Sequence, residues 1–403
     1  MARLRRTEIQ VVDFFSGCGG MSYGFATAPT TFLNFKIKAG VEIDPHANAT
    51  FRRMLQVDPT QIDIRELRNS RVLDRYLQQW QIDAKQPLIV IGCAPCQGFS
   101  SHRKKDPRND DRNSLLEVFG SICCRMQPDL IVMENVPEML QRKHWTHFAA
   151  WRKMLAMAGY SIRVRIYNLA QFGVPQERFR AVVIAARDWN HFSMPLPLRR
   201  PQDFVTVRHA IGHLPALSAG QSDPLDPMHI TSRHRPQTVA LIKRIPINGG
   251  SRRALPNGFG PPCLQKVDGF RDVYGRLFWE QPAVAITARC RTPSCGRYVH
   301  PQQHRGLSVR EAALLQGFPS DYFFEGPFDD KFKQIGNAVS PTFSQQLALH
   351  IDREWRLSHN HNHPSDFDDP KWDITRPIEK SFSSSIASIK RKMREQPMEH
   401  AFV

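Results

Sequence analysis

The chain has 403 residues, 41% of them hydrophobic and 23% charged, and carries a formal net charge of +17. That length and balance support one large domain plus a smaller one and exclude wholesale disorder. No apolar run reaches the length of a membrane span, and the start, MARLRRTEIQ, lacks the apolar stretch of a signal peptide. A cytoplasmic protein without a membrane partner is expected, and eight scattered cysteines without a disulfide framework fit that compartment.

The positive charge is uneven. Residues 1–187 carry 27 Lys and Arg against 17 acids, 188–305 carry 16 against 7, and 306–403 carry 12 against 14. The middle stretch is under a third of the chain yet holds about half of the excess, nearly all of it arginine. Arginine forks suit phosphates and the guanine edge, although charge alone is also compatible with a solvated basic surface.

In chain order, apolar β-branched runs predict strands over Ile9–Phe15, Phe35–Ile43, Leu88–Cys93, Leu130–Val136, Ile162–Asn168 and Ala181–Ala186. Helices are expected over Ser114–Met126 and Lys143–Met157. Strands this apolar, separated by helices, imply a parallel sheet covered on both faces, the doubly wound α/β class. From 188 to 305 the chain is rich in Pro, Gly and Arg, which predicts a separate loop-rich module. Ser308 and Glu311 read as a capping box, and Ser340-Pro341 as the start of a helix to about Trp355. The first domain is thus expected over 1–187 and 306–357, with a flexible tail over 358–403.

The first strand runs into Asp13-Phe-Phe-Ser-Gly17-Cys-Gly19-Gly20, where glycines permit a tight turn and close ligand approach. Glu42, at the end of the second strand, is placed to bind ribose hydroxyls, and Asp63-Ile64 could set a second acid near an adenine. There is neither a pyrophosphate G-x-G-x-x-G nor a P-loop Lys. A cofactor with a ribose but no phosphates is favoured, which points toward S-adenosylmethionine. A plain strand-to-helix turn and an exposed Asp63 are the bland alternatives.

The third long strand delivers Ala94-Pro95-Cys96-Gln97-Gly98-Phe99-Ser100 at its carboxyl end, the edge at which open α/β sheets bind ligands. Cys96 could be a small buried hydrophobe, half of a redox C-x-x-C with Cys93, or a nucleophile. Redox fits poorly with an adenosine pocket in a chain of this length, and Cys93 is expected to be buried. The next strand ends in Glu134-Asn135-Val136, where burial would favour a protonated acid able to donate to a substrate.

The DFFSGCGG, PCQGFS, ENV, QERFR and QIGNAV segments, in this order, resemble the motif set of DNA cytosine-5 methyltransferases of bacterial type. The resemblance spans about 9–187 and 306–350. It implies a Rossmann-like S-adenosylmethionine-dependent methyltransferase domain and a smaller target-recognition domain over 188–305. It further implies that Phe15, Gly17, Gly20, Glu42, Asp63, Ile64, Asn337 and Val339 line the cofactor pocket. Cys96 becomes the nucleophile, with Glu134, Arg178 and Arg180 catalytic, and Pro95, Gln97, Ser100, Asn135 and Gln176 around the target base. Double-stranded DNA is the implied substrate, with the target flipped out of the helix and the polar 100–112 segment closing over it. Similar enzymes methylate transfer RNA, but their Cys-Phe-Thr segment after ENV is replaced here by Pro137-Glu-Met-Leu. No metal is expected, since Cys290 and Cys295 lack a second pair at ligand spacing. A monomer is expected, with a restriction endonuclease as a candidate partner and the nucleoid as its place of work.

Overall fold

The computed structural model describes residues 6–95, 114–187, 192–256, 272–359 and 373–379. These divide into two compact units. The first holds the described residues up to Asn168, with Phe179–Arg200 and those from Pro341 onward. The second holds Leu169–Arg178 and Pro201–Ser340. Among the described residues no helix is long and apolar enough to cross a membrane.

The first unit is built on six strands: β1 (Thr7–Phe14), β2 (Leu33–Val41), β3 (Leu88–Gly92), β4 (Leu130–Asn135), β5 (Ser161–Asn168) and β7 (Phe179–Ala186). Their order is β2-β1-β3-β4-β7-β5. Every residue of β3 and β4 is buried, as continuous apolar runs covered on both faces must be. On one face, Val12, Val90, Ile131 and Val183 pack with Phe119 of α4 (Ser114–Met126) and Trp151 of α5 (Trp145–Met157). On the other, α1 (Gly20–Ala26) packs on the long C-terminal helix, Pro341–His359. Gly24 permits that approach, since a Cβ there would lie 2.5 Å from the Pro341 carbonyl oxygen. Asp352 of the same helix is buried and accepts from the N–H groups of Thr31, Phe32 and Leu33 at 2.9, 2.9 and 2.7 Å. It thereby caps the start of β2, where three backbone donors have no strand partner.

Three sequence expectations are corrected. The sheet is not all parallel, because β7 runs antiparallel to both β4 and β5. Only ten residues, Leu169–Arg178, separate β5 from β7, too few for the covered crossover that a parallel return requires. Residues 306–340 and 169–178 belong to the same compact unit as 201–305. The helix Val309–Gln316 explains this: its Arg310 forms a forked pair with Asp226 at 2.6 and 3.0 Å, and the Val309 N–H donates to Ile230. The expected capping box at Ser308 and Glu311 is present on that helix. Finally, part of the expected flexible tail is ordered. Ile374 and Ile378 pack against the main core, with backbone bonds to Val164 and Leu140, and Asp373 pairs with Arg163.

The second unit is poor in regular structure, as the composition of 188–305 implied. Its elements include α6 (Val207–Ile211), α7 (Pro236–Arg244) and a two-residue bridge of β6 (Gln176–Glu177) with β8 (Ala283–Val284). Arginines hold its loops together. The fully buried Arg276 donates to the carbonyls of Ile242, Ile245, His300 and Gln303 at 2.6–3.0 Å. Arg305 forks onto buried Glu311 at 2.7 Å on both oxygens, which holds that carboxyl down at about 2. Part of the arginine excess read as phosphate-binding is therefore internal scaffolding.

Asp352→Ala should cost on the order of 2–3 kcal/mol, because one buried and two partly buried N–H groups lose their acceptor; thermal or urea unfolding measures it. Burial lifts the Asp13 carboxyl from 3.8 to about 7, against the Ser22 hydroxyl bond at 2.7 Å and with the charge of Glu42 adding to the rise. The folded chain then keeps a proton that the unfolded chain releases near 4. Stability from this group is full at low pH and is lost as pH rises through about 7. Asp13→Asn should remove that loss, so its melting temperature gains on the unsubstituted protein between pH 5 and 8. A gap constant with pH would contradict this.

Candidate active site

The turn after β1 is shaped by left-handed backbone: Phe15 at φ 57°, Gly17 at 53° and Gly19 at 87°. A non-glycine residue in that region is uncommon and marks a constrained site. Phe15 is half-buried, with its ring edge-on to Phe119 at 6.1 Å. Gly19 caps α1, and Gly20 is that helix's first, buried residue. Above Gly17 a Cβ would meet nothing within 4 Å, so its backbone faces open space.

Glu42 follows β2 and clasps this turn. Its Oε2 accepts from the Gly17 N–H at 3.0 Å, and its Oε1 from the N–H groups of Ile43 and Asp44 at 2.8 and 2.9 Å. Each carboxylate oxygen can accept more than one bond, so ribose hydroxyls can still be taken. The Thr60 loop pairs with Val41, which brings the stretch leading to Asp63 beside the end of β2. Asp63 caps the short helix Ile64–Arg68 through the Arg65 N–H and also pairs with the Arg65 side chain at 2.9 Å. Ile64 is buried beneath it. Open glycine backbone, a half-buried carboxylate after β2 and a further acid close by fit an adenosine-bearing, phosphate-free cofactor. Asp13 was missed by sequence reasoning. Buried behind the turn and bonded to Ser22, it anchors α1 to β1.

Residues expected to carry the chemistry lie at or just after the ends of β3 and β4. Gly92 pairs with Met133 across the parallel register, so the next residues, Cys93 and Glu134, face one another. Glu134 is 2% exposed, and its Oε1 lies 2.8 Å from the Arg180 Nε, a close charge contact. A buried carboxylate would be costly alone, and the guanidinium compensates its charge. The Cys93 thiol donates to Oε2 at 3.2 Å. Asn135 is buried and donates to the Ala94 carbonyl at 3.1 Å, while its own oxygen accepts from the Val136 N–H at 2.8 Å. The turn leading to half-buried Pro95 is thus pinned to the end of β4. Cys93 is half-buried rather than buried as expected. Cys96, Gln97 and Ser100, and the segment expected to close over the base, lie outside the described residues.

Gln176 and Arg178 belong to the second unit. Gln176 is fully buried, donating to Leu315 and Gln316 at 2.8 and 2.6 Å and accepting from the Ile286 N–H at 2.9 Å. Arg178 donates to the carbonyls of Ile286 and Gly336 at 2.7 and 3.1 Å. These bonds all lie within the second unit. Gln316 passes the link on to the Ala338 carbonyl at 2.7 Å and so holds the turn that carries exposed Asn337 and buried Val339.

Comparison with known proteins agrees with this arrangement. Residues 9–353 match the family model described as C-5 cytosine-specific DNA methylase. The chain is 33% identical over 354 residues to the type II methylase M.HgiDII of Herpetosiphon aurantiacus, covering 85% of this chain and 95% of that one. It is also 33% identical to the type II methyltransferase M1.HphI of Haemophilus parahaemolyticus, covering 85% and 86%. Two solved structures share the fold. The Entamoeba histolytica methyltransferase EhMeth has a TM-score of 0.58 at 16% identity, covering 87% of this chain and 99% of its own. The S. pombe Dnmt2 methyltransferase has 0.54 at 18%, covering 86% and 98%. A family match over most of the chain, on a fold whose first unit presents a glycine turn and a buried Glu–Arg pair, makes this protein a member of the C-5 cytosine-specific DNA methylases, which transfer a methyl group from S-adenosylmethionine to carbon 5 of cytosine.

Proposed function

We propose that the chain modifies cytosine within a specific double-stranded DNA sequence, on a base flipped out of the helix, through a covalent adduct with Cys96. The observation that carries this is the buried Glu134–Arg180 pair, beside the strand that leads into Pro95-Cys96-Gln97. Carbon 5 of cytosine is a poor nucleophile. Addition of the Cys96 thiolate to carbon 6 gives carbon 5 enamine character, and loss of the carbon 5 proton to a base then expels the thiolate. Glu134 would hold a proton at ring nitrogen 3 during addition, and Arg180 would steady the carboxylate and the ring carbonyl. S-adenosylmethionine, when bound by Phe15, Gly17, Gly20, Glu42, Asp63 and Ile64, supplies the electrophilic methyl. A base inside a duplex is out of reach of these groups, hence the flip, at a cost of a few kcal/mol. Pro95, Gln97, Ser100 and Asn135 would shape the space that receives it.

The second unit is read as the target-recognition module. Residues 227–256 contain six Lys and Arg and no acid. Exposed Arg233 and Lys243 flank an open groove of ≈ 470 Å³ along α7, with His234 and Val239 between them. Cations on a surface without acids suit a phosphate backbone. A monomer suffices for the chemistry, since Cys96, Glu134 and Arg180 come from one chain. Kinship with type II methylases supports a role in restriction–modification beside an endonuclease of the same specificity, working on DNA in the cytoplasm and at the nucleoid.

Cys96→Ser should abolish transfer of labelled methyl to DNA. Glu134→Gln should slow it by about 10²-fold or more, as loss of a general acid does. Assays on DNA and RNA side by side decide the substrate, and transfer to RNA alone would overturn the reading. Arg233→Ala and Lys243→Ala should each weaken DNA binding to a similar degree on all sequences and reduce the salt slope by about 1. Loss confined to one target sequence would instead place them at base edges.

A further inference from the structure

Cys93 enters none of the roles above, yet its thiol reaches the group on which the chemistry depends. We infer that Cys93 is a positioning residue that holds the Glu134 carboxylate in register for the target base, an inference that rests on Glu134 serving as the acid. The backbone sets this up. The Cys93 N–H donates to the Phe14 carbonyl at 3.3 Å, prolonging the β1–β3 ladder by one residue, while β3 and β4 run parallel in register up to Gly92 and Met133. The next two side chains therefore meet, with Cys93 Sγ 3.2 Å from Glu134 Oε2.

A thiol is a weak donor, but a carboxylate acceptor strengthens the bond, and the low exposure of Glu134 removes water as a competitor. Arg180 Nε lies 2.8 Å from Oε1 as an ion pair without hydrogen-bond geometry, so it attracts that oxygen without orienting it. Arg180 alone would leave the carboxyl free to turn about its last bond. The thiol bond to Oε2 adds the directional contact that Arg180 lacks, and a proton donor must be placed closely for efficient transfer. Asn135, bonded to the Ala94 carbonyl, repeats the same strand-to-strand link one residue further on. The spacing Cys93-Ala-Pro-Cys96 would also suit a redox pair, but the Cys93 thiol is directed at Glu134.

The test uses the full-length enzyme with S-adenosylmethionine and target DNA, in parallel with DNA carrying 5-fluorocytosine, whose adduct cannot lose fluorine and accumulates. Cys93→Ala should slow both methyl transfer and adduct formation about tenfold, the worth of a hydrogen bond to a charged group, with the KM for DNA and cofactor unchanged. Cys93→Ser, which keeps a donor, should recover to within about threefold of the parent rate. In a Glu134→Gln background, Cys93→Ala should add no further loss, because its effect runs through that carboxyl. Equal thermal stability of the Ala and Ser variants separates positioning from folding. An undiminished Cys93→Ala enzyme, a Ser variant as slow as Ala, or full additivity with Glu134→Gln would overturn the inference. If Glu134→Gln alone left transfer undiminished, the assignment of Glu134 as the acid would fall, and this inference with it.

Discussion

A carboxylate sealed inside a protein has to be compensated, and Glu134 sits at the end of the most deeply buried strand of the sheet. Its compensation comes from two neighbouring strands. Arg180 is carried by β7, which pairs antiparallel with β4 so that Glu134 lies opposite Val182. Cys93 follows β3, which pairs parallel on the other side. The sheet order β3-β4-β7 is thus what brings Cys93, Glu134 and Arg180 together. An all-parallel sheet would carry Arg180 at the opposite end of its strand. The reversal of β7 is what sets Arg180 beside Glu134.

The cofactor end obeys a similar economy of charge. Asp13 and Glu42 both crowd the glycine turn, and burial keeps Asp13 protonated to about pH 7. One acid then serves the fold through Ser22, while the other accepts from the backbone of the turn. The last long helix closes the opposite face of the same sheet, its Asp352 capping β2 and its start tolerated only because residue 24 has no Cβ. Residues more than 300 positions apart therefore stabilise the strand whose end carries Glu42.

The second unit shows how a module with little regular structure is held in one shape. Buried arginines satisfy loop carbonyls that helices and strands would otherwise satisfy, as Arg276 does for four of them. Arg305 and Arg310 each add a forked pair with a carboxylate. The scaffold divides the arginines into two populations that look alike in the primary structure.

Much was legible from residues alone. Continuous apolar runs announced six strands and two helices, because burial on both faces leaves no room for polar side chains. The glycine turn, Glu42, the Pro95-Cys96-Gln97 segment and Glu134 could be placed at one sheet edge, since strand polarity puts every strand-end residue there. Burial, partners and direction were beyond that reading. The antiparallel course of β7, the inward use of Gln176 and Arg178, the structural arginines of the second unit and the contact of Cys93 with Glu134 all join residues distant in the chain. Local pattern determines which residues can be strand, turn or core. Only the folded arrangement decides which polar group meets which, because hydrogen bonds and ion pairs form between neighbours in space.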